Sequence, residues 1–144
     1  MSHDAADYTR DMRLRRIAPV LMWLAVIVAL SSSPSPPNPV EGRGFASLGH
    51  LVEYAILAAL LARSAQLVFP GRSSVAVVGT VWILAVLLGV ADEWYQSHIP
   101  NRDVDPVDVL FDATGAALGL LFWYGATAIE AFRARRAQRP LATG

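Results

Sequence analysis

Ionisable and polar side chains interrupt otherwise apolar stretches of this chain in three short groups. Each group contains residues three or four positions apart, which is the spacing of one helix face. The groups are His50, Glu53 and Tyr54; Asp92, Glu93 and Gln96; and Asp108 and Asp112. Histidine and carboxylate side chains act as general acids and bases, and their nitrogen and oxygen atoms are also metal ligands. The three groups therefore predict a catalytic or a binding site.

His50, Glu93 and Asp108 are the catalytic candidates. His50 could act as a general acid or base, while Glu93 and Asp108 could hold a divalent ion through their oxygen atoms. Because carboxylate clusters also form at helix ends without a metal, we expect no resident cofactor and keep a divalent cation as the alternative. Arg102 is the expected counter-ion of the carboxylates. The predicted binding set is His50, Glu53, Tyr54, Asp92, Glu93, Gln96, Arg102, Asp108 and Asp112.

Each group also has a structural interpretation. His50 and Tyr54 could simply hydrogen-bond between helices. A carboxylate in the first turn of a helix is stabilised by unpaired N–H groups, which explains Asp108 well but Asp112, one turn deeper, less well. Because burying so many charged groups in a membrane is costly, the cluster as a whole favours a functional role.

The elements that carry these groups are four long apolar stretches. Hydrophobic residues make up 54% of the chain, above the level of about 45–50% in soluble domains. A helix needs about 20 such residues to cross a bilayer. The sequence therefore predicts an all-α, polytopic four-helix transmembrane bundle. Its membrane domain is 17–129, between a cytoplasmic segment, 1–16, whose first dozen residues are expected to be polar and mobile, and a basic cytoplasmic tail, 130–144.

The arginines predict the orientation of the bundle. All twelve basic residues are arginine, and ten of them lie on one side of the predicted membrane. The positive-inside rule makes this side the cytoplasm, so we expect a bacterial inner-membrane protein with both termini inside. The three polar groups then meet in the outer leaflet as one outward-facing pocket. The first apolar stretch could alternatively be a cleaved signal peptide, which would not change the other three orientations.

Further features indicate what the chain contacts. Gly115 and Gly119 lie on the same helix face as Asp108 and Asp112 and permit close approach of another helix, either of the same chain or of a second copy in a homodimer. The arginine-rich tail is expected to contact anionic lipid headgroups rather than nucleic acid. Because cysteine is absent, disulfides, thiolate metal sites and a catalytic thiol are excluded.

The motifs resemble those of the VanZ-like membrane proteins. That family has His-x-x-x-Tyr, then Asp-Glu-x-x-Gln, a Pro-Gly-Arg turn, and Asp-x-x-x-Asn-x-x-Gly at the start of the last helix. This chain matches the order and spacing within residues 46–125, through His50–Tyr54, Asp92–Gln96, Pro100–Arg102 and Asp108–Gly115. It departs from the pattern in three places: Asn101 replaces the turn glycine, Asp112 stands where the family usually has asparagine, and Ala46–Ser47 replaces an Asp-Lys pair.

The resemblance implies a role in the cell envelope and in glycopeptide (teicoplanin) resistance. The favoured function is an accessory protein whose pocket binds an envelope precursor or membrane lipid. An intramembrane enzyme acting on a lipid-linked or phosphorylated substrate at the outer leaflet is the alternative, and the residues fit both. A proton or cation pathway is disfavoured, because the inner halves of helices two, three and four lack polar residues to relay the ion.

Overall fold

The computed structural model describes residues 2–34, 39–70, 75–102 and 104–138, which form four α-helices and no strand. The helices are α1 (Ser2–Ser31), α2 (Pro39–Val68), α3 (Val75–Gln96) and α4 (Pro106–Ala137). Each contains a segment long and apolar enough to cross a membrane. The predicted all-α four-helix membrane bundle is confirmed, and the chain is a multi-pass membrane protein.

Two of the helices, α1 and α4, extend beyond the predicted membrane domain, 17–129. α1 begins at Ser2, so residues 2–12, in the segment expected to be polar and mobile, are helical. α4 continues through Arg133, Arg135 and Arg136 in the basic tail. The physical reason is that alanine and arginine have high helix propensity, and extending an existing helix avoids the cost of nucleating a new one.

α2 and α4 pack together more extensively than any other pair of described helices. A Cβ atom built on Gly115 would fall on the carbonyl oxygen of Leu51, and one built on Gly119 would fall on that of Ala55. Only a residue without a side chain lets two helix backbones come this close. The glycine pair predicted that another helix packs closely against α4. That helix is α2 of the same chain, and it covers both glycines.

The register of this contact shows that α2 and α4 run in the same direction. The pairing of Leu51 with Gly115 is followed, four residues later on both helices, by the pairing of Ala55 with Gly119. α3 packs against both in the opposite direction, and its Trp82 indole donates a 2.9 Å hydrogen bond to the carbonyl oxygen of Ala113. α2 and α4 thus begin at the end of the bundle where α3 finishes.

Small and aliphatic residues fill the centre of the bundle. Leu57, Ala58, Ala85 and Ala116 are fully buried there. The outward faces of the helices carry large apolar side chains, including Leu121 and Phe122 on α4 and Leu87 on α3. This distribution is that of helices surrounded by lipid, where the exterior is as apolar as the interior.

α1 is attached to α2 along much of its length. The indole of Trp23 donates a 2.9 Å hydrogen bond to the backbone carbonyl of Glu53, and the hydroxyl of Ser64 donates one of 2.8 Å to the carbonyl of Arg16. The guanidinium of Arg16 in turn donates to the side chain of Gln66 at 3.3 Å. α1 is therefore part of the bundle and fixes the position of α2 from one side.

Candidate functional site

All three predicted groups lie at one end of the bundle, where α1 and α3 finish and α2 and α4 begin. We call this the polar end. The side chains gathered here are named the polar cluster: His50, Glu53, Tyr54, Asp92, Glu93, Gln96, Asp108 and Asp112. Glu53 is half-buried, and each of the other seven is at most 8% exposed. The parallel arrangement of α2 and α4, with α3 packed antiparallel against both, brings the groups to the same depth.

His50 occupies the centre of the cluster and connects α2 to α4. Its Nδ1 lies 3.0 Å from Oδ1 of Asp112, and its Nε2 lies 3.9 Å from Oδ2 of Asp108. A carboxylate accepts hydrogen bonds, so Nδ1 is the nitrogen that donates. Asp112 therefore holds the ring with Nε2 directed toward Asp108. The ring of Tyr54 lies parallel to the His50 ring, with 6.5 Å between centroids.

Glu93 brings a carboxylate from α3 into the same space. The residue is 6% exposed, and neither of its carboxylate oxygens has a hydrogen-bond partner among the residues that the structure describes. One ligand atom each of His50, Glu93 and Asp108 lie within 4.8 Å of one another. Buried polar atoms are nearly always paired, so this carboxylate calls for a ligand or another physical explanation.

Asp112 is fully buried against α3, and a glycine makes the room for it. A Cβ atom on Gly89 would clash with the carboxylate of Asp112, so α3 can pass this close only with glycine at that position. The second oxygen of Asp112, Oδ2, has no hydrogen-bond partner within the described residues. Gly89 was missed from sequence, because no motif marks it and its role arises only when α3 and α4 pack.

Arg102 continues the cluster toward α1. Its Nε donates to Oε1 of Gln96 at 2.8 Å, and its Nη1 donates to the backbone carbonyl of Ser33 at 3.0 Å. Nε2 of Gln96 in turn donates a 2.9 Å hydrogen bond to Oδ2 of Asp92, so Gln96 links Arg102 to this carboxylate. In the described part of the chain Arg102 forms no direct ion pair with a carboxylate, and its role as counter-ion stays a prediction. The amide of Gln96 stands between the two charges.

Three grooves lie away from the cluster. One of about 930 Å³ follows the apolar faces of α3 and α4 and is lined by residues such as Val78, Trp82, Leu120 and Tyr124. A second lies among α1, α2 and α3, and a third lies between α2 and α4. None of these three grooves is lined by a residue of the polar cluster. The cluster is a packed set of side chains in which Glu53 is half-buried, and half-buried Arg102 lies beside it.

The chain was also compared with known proteins. A family model described as VanZ/LLP1 matches residues 6–129. The chain belongs to the VanZ/LLP1 family. No curated protein and no solved structure matches it. The matched range includes α1 and all eight residues of the polar cluster, so it extends beyond the 46–125 over which the motifs are recognised from sequence.

Two departures of this VanZ/LLP1 protein from the family pattern lie inside the cluster. Ser47, at the position of the family's lysine, donates a 2.7 Å hydrogen bond from Oγ to Oδ1 of Asp108. A short hydroxyl thus takes the place of a long cation, and Ser47 is a second residue that was not predicted as part of the site. Asp112, at the position of an asparagine, supplies a carboxylate to His50 where an amide would supply a neutral oxygen.

The third departure lies in the connection between α3 and α4. Asn101 has a φ of 59°, in the left-handed region that glycine adopts freely and asparagine tolerates better than most other residues. Asparagine can therefore replace the turn glycine of the VanZ pattern without changing the backbone path. The turn places Arg102 beside Gln96, and α4 then starts at Pro106 with Asp105 as its N-cap.

Proposed function

We propose that this VanZ/LLP1 protein is an accessory protein of the bacterial inner membrane that binds an envelope precursor or lipid headgroup at its polar end. Binding there changes the access of glycopeptides such as teicoplanin to their target. The observation that carries the proposal is the burial of five ionisable side chains at one end of a lipid-facing bundle. They are His50, Asp92, Glu93, Asp108 and Asp112, none more than 8% exposed. Ionisable groups at such positions are costly and generally mark function.

The arginine distribution supports an outward-facing polar end. Ten of the twelve arginines belong to the opposite end of the bundle: four in the first half of α1, Arg63 and Arg72 around the connection between α2 and α3, and four in the last turns of α4 and the residues after it. Under the positive-inside rule that end is cytoplasmic. The polar end then meets the outer leaflet, where envelope precursors and the glycopeptides that bind them are found.

The charges at the polar end suit a ligand that has both hydrogen-bond donors and phosphate. Carboxylates accept hydrogen bonds from hydroxyl and amino groups, while a guanidinium forms paired hydrogen bonds with phosphate. Arg102 is half-buried at the edge of the cluster, and among the described residues its side chain donates hydrogen bonds to neutral oxygens rather than to a carboxylate. A lipid-linked envelope precursor presents both kinds of group.

The test is teicoplanin susceptibility of a bacterial host that expresses the wild-type protein, Glu93→Gln or Arg102→Ala. We expect the wild type to raise the inhibitory concentration and each variant to reverse this by about fivefold, corresponding to roughly 1 kcal/mol of binding free energy. Glu130→Gln, an exposed carboxylate at the other end of α4, is the matched control and keeps the wild-type effect. Equal susceptibility of wild type and both variants, at equal protein levels in the membrane, would argue strongly against the proposal.

The second candidate is an intramembrane enzyme for a lipid-linked or phosphorylated substrate. The observation that favours it is the 3.0 Å contact between His50 and Asp112, because a carboxylate that holds one ring nitrogen orients the other for acid–base chemistry. An assay of catalytic turnover distinguishes this enzyme from the binding protein proposed above. A binding protein releases no phosphate from a lipid-linked pyrophosphate, whereas an enzyme of this kind does so and loses the activity in His50→Gln.

A further inference from the structure

We propose that His50, Glu93 and Asp108 bind a divalent transition-metal ion of the Zn²⁺ type, and that Asp112 positions the histidine. The site draws one residue from each of α2, α3 and α4, and all three are buried. The proposal goes beyond the proposed function because it assigns an ion to the chain itself, whether or not a lipid is bound.

The distances among the three side chains allow them to share one ion. Two atoms bonded to the same tetrahedral Zn²⁺ at about 2.1 Å lie about 3.4 Å apart. Nε2 of His50 and Oδ2 of Asp108 are 3.9 Å apart, too far for a hydrogen bond and only slightly farther than two ligands of one ion. The whole set spans 4.8 Å, so a side-chain adjustment of about 1 Å would complete the coordination.

The independent observation is the state of Glu93. Its carboxylate is buried at 6% exposure, and both oxygens are unpaired among the described residues. A carboxylate removed from water without a partner costs several kcal/mol, by order of magnitude. A cation held jointly with His50 and Asp108 would compensate this charge. No side-chain hydrogen bond among the described residues does so.

The neighbouring hydrogen bonds free the atoms that a metal needs. Asp112 accepts a hydrogen bond from Nδ1 of His50, so Nε2 carries no proton and its lone pair points toward Asp108. Ser47 donates a hydrogen bond to Oδ1 of Asp108, so the other carboxylate oxygen, Oδ2, faces His50 and is available as a ligand. Metal-binding histidines commonly have a carboxylate on the second ring nitrogen, where it fixes the ring and raises its basicity. Asp112 is therefore a positioning residue and not a ligand.

The donor set indicates the class of ion. One imidazole nitrogen and two carboxylate oxygens suit Zn²⁺ or Mn²⁺, whereas Ca²⁺ and Mg²⁺ prefer sites made of oxygen alone. A single ion also fits a packed cluster that none of the three grooves reaches. With three protein ligands, a tetrahedral ion keeps a fourth position for water or another oxygen ligand.

The experiment measures Zn²⁺ bound to the full-length protein, purified in detergent and stripped with a chelator, by equilibrium dialysis and elemental analysis. We expect one ion per chain. Glu93→Gln and Asp108→Asn, which each remove a ligand, should abolish stoichiometric binding. Asp112→Asn should weaken it by about 10–100-fold, as changes to such supporting residues do. Asp105→Asn is the matched control and should bind like wild type, because asparagine caps a helix as well as aspartate.

Substoichiometric Zn²⁺ in the wild type at saturating concentration would overturn the proposal, as would wild-type affinity in both Glu93→Gln and Asp108→Asn. Should a variant fail to fold, Co²⁺ added to the wild type gives the answer without any substitution. Visible absorption bands of Co²⁺ bound by nitrogen and oxygen ligands are expected, and their absence would also overturn the site. Metal uptake is measured without lipid or teicoplanin, so its failure is distinct from failure of the proposed function.

Discussion

Replacing Gly115 with leucine is expected to prevent α2 and α4 from packing and so to abolish the folded bundle. The added side chain would occupy the position of the Leu51 carbonyl oxygen, a backbone atom that moves only if the whole of α2 moves. Overpacking of a core costs about 1–3 kcal/mol when side chains can adjust, and more when a backbone stands in the way. Displacement of α2 at Leu51 would also move His50, its neighbour in the chain, away from Asp112.

Unfolding of the purified protein by increasing sodium dodecyl sulfate, followed by circular dichroism, measures this effect. Gly125→Leu is the matched control, because it lies on the same helix and a Cβ there meets no atom within 4 Å. We expect the control to stay within about 0.5 kcal/mol of the wild type, as substitutions away from packed contacts usually do. Equal stability of the Gly115 and Gly125 variants would show that the α2–α4 contact is not as close as described.

Replacing Asp112 with alanine is expected to be the most damaging change within the polar cluster. It leaves Nδ1 of His50 without its acceptor in a fully buried position and opens a cavity beside Gly89. A broken buried hydrogen bond costs about 1–3 kcal/mol, and a broken buried ion pair about 3–5 kcal/mol. Asp112→Asn keeps an oxygen acceptor of nearly the same size, so its stability should remain close to that of the wild type.

A double-mutant cycle with His50→Ala isolates the contact itself. We expect Asp112→Ala to cost little more once His50 is absent, which gives a coupling free energy of about 1–3 kcal/mol. The same detergent unfolding assay supplies the four stabilities. Additive effects, with a coupling below about 0.5 kcal/mol, would mean that the 3.0 Å contact does not contribute to the fold.

The four helices could be predicted from sequence because a membrane-spanning helix depends mainly on the number of consecutive apolar residues. Their ends could not. The start of α1 at Ser2 and the extension of α4 through Arg136 depend on helix propensity in polar segments, which apolar length does not report. Close approach of a helix to Gly115 and Gly119 could be predicted, since small residues four apart are a strong local signal, but not that α2 is the helix that approaches.

It could also be predicted that the three polar groups meet. The helical period puts the members of each group on one face of their helix, and the alternating directions of the helices put the three groups at the same depth in the membrane. The individual partners could not be predicted. Arg102 was expected as the counter-ion of the carboxylates, but its connection to Asp92 through Gln96 depends on side-chain rotamers that the sequence does not report. Ser47 and Gly89 have no distinctive residue type, and they matter only because α2 and α3 pass close to α4.

The central claim is that the polar end holds an envelope lipid through the cluster and Arg102. Native mass spectrometry of the protein, extracted from bacterial membranes in mild detergent, tests it most directly. The account predicts a bound lipid with a phosphate-bearing headgroup on the wild type and on Glu130→Gln, and its loss from Glu93→Gln and Arg102→Ala. A wild type without such a lipid, or variants that retain it at the same occupancy, would contradict the account.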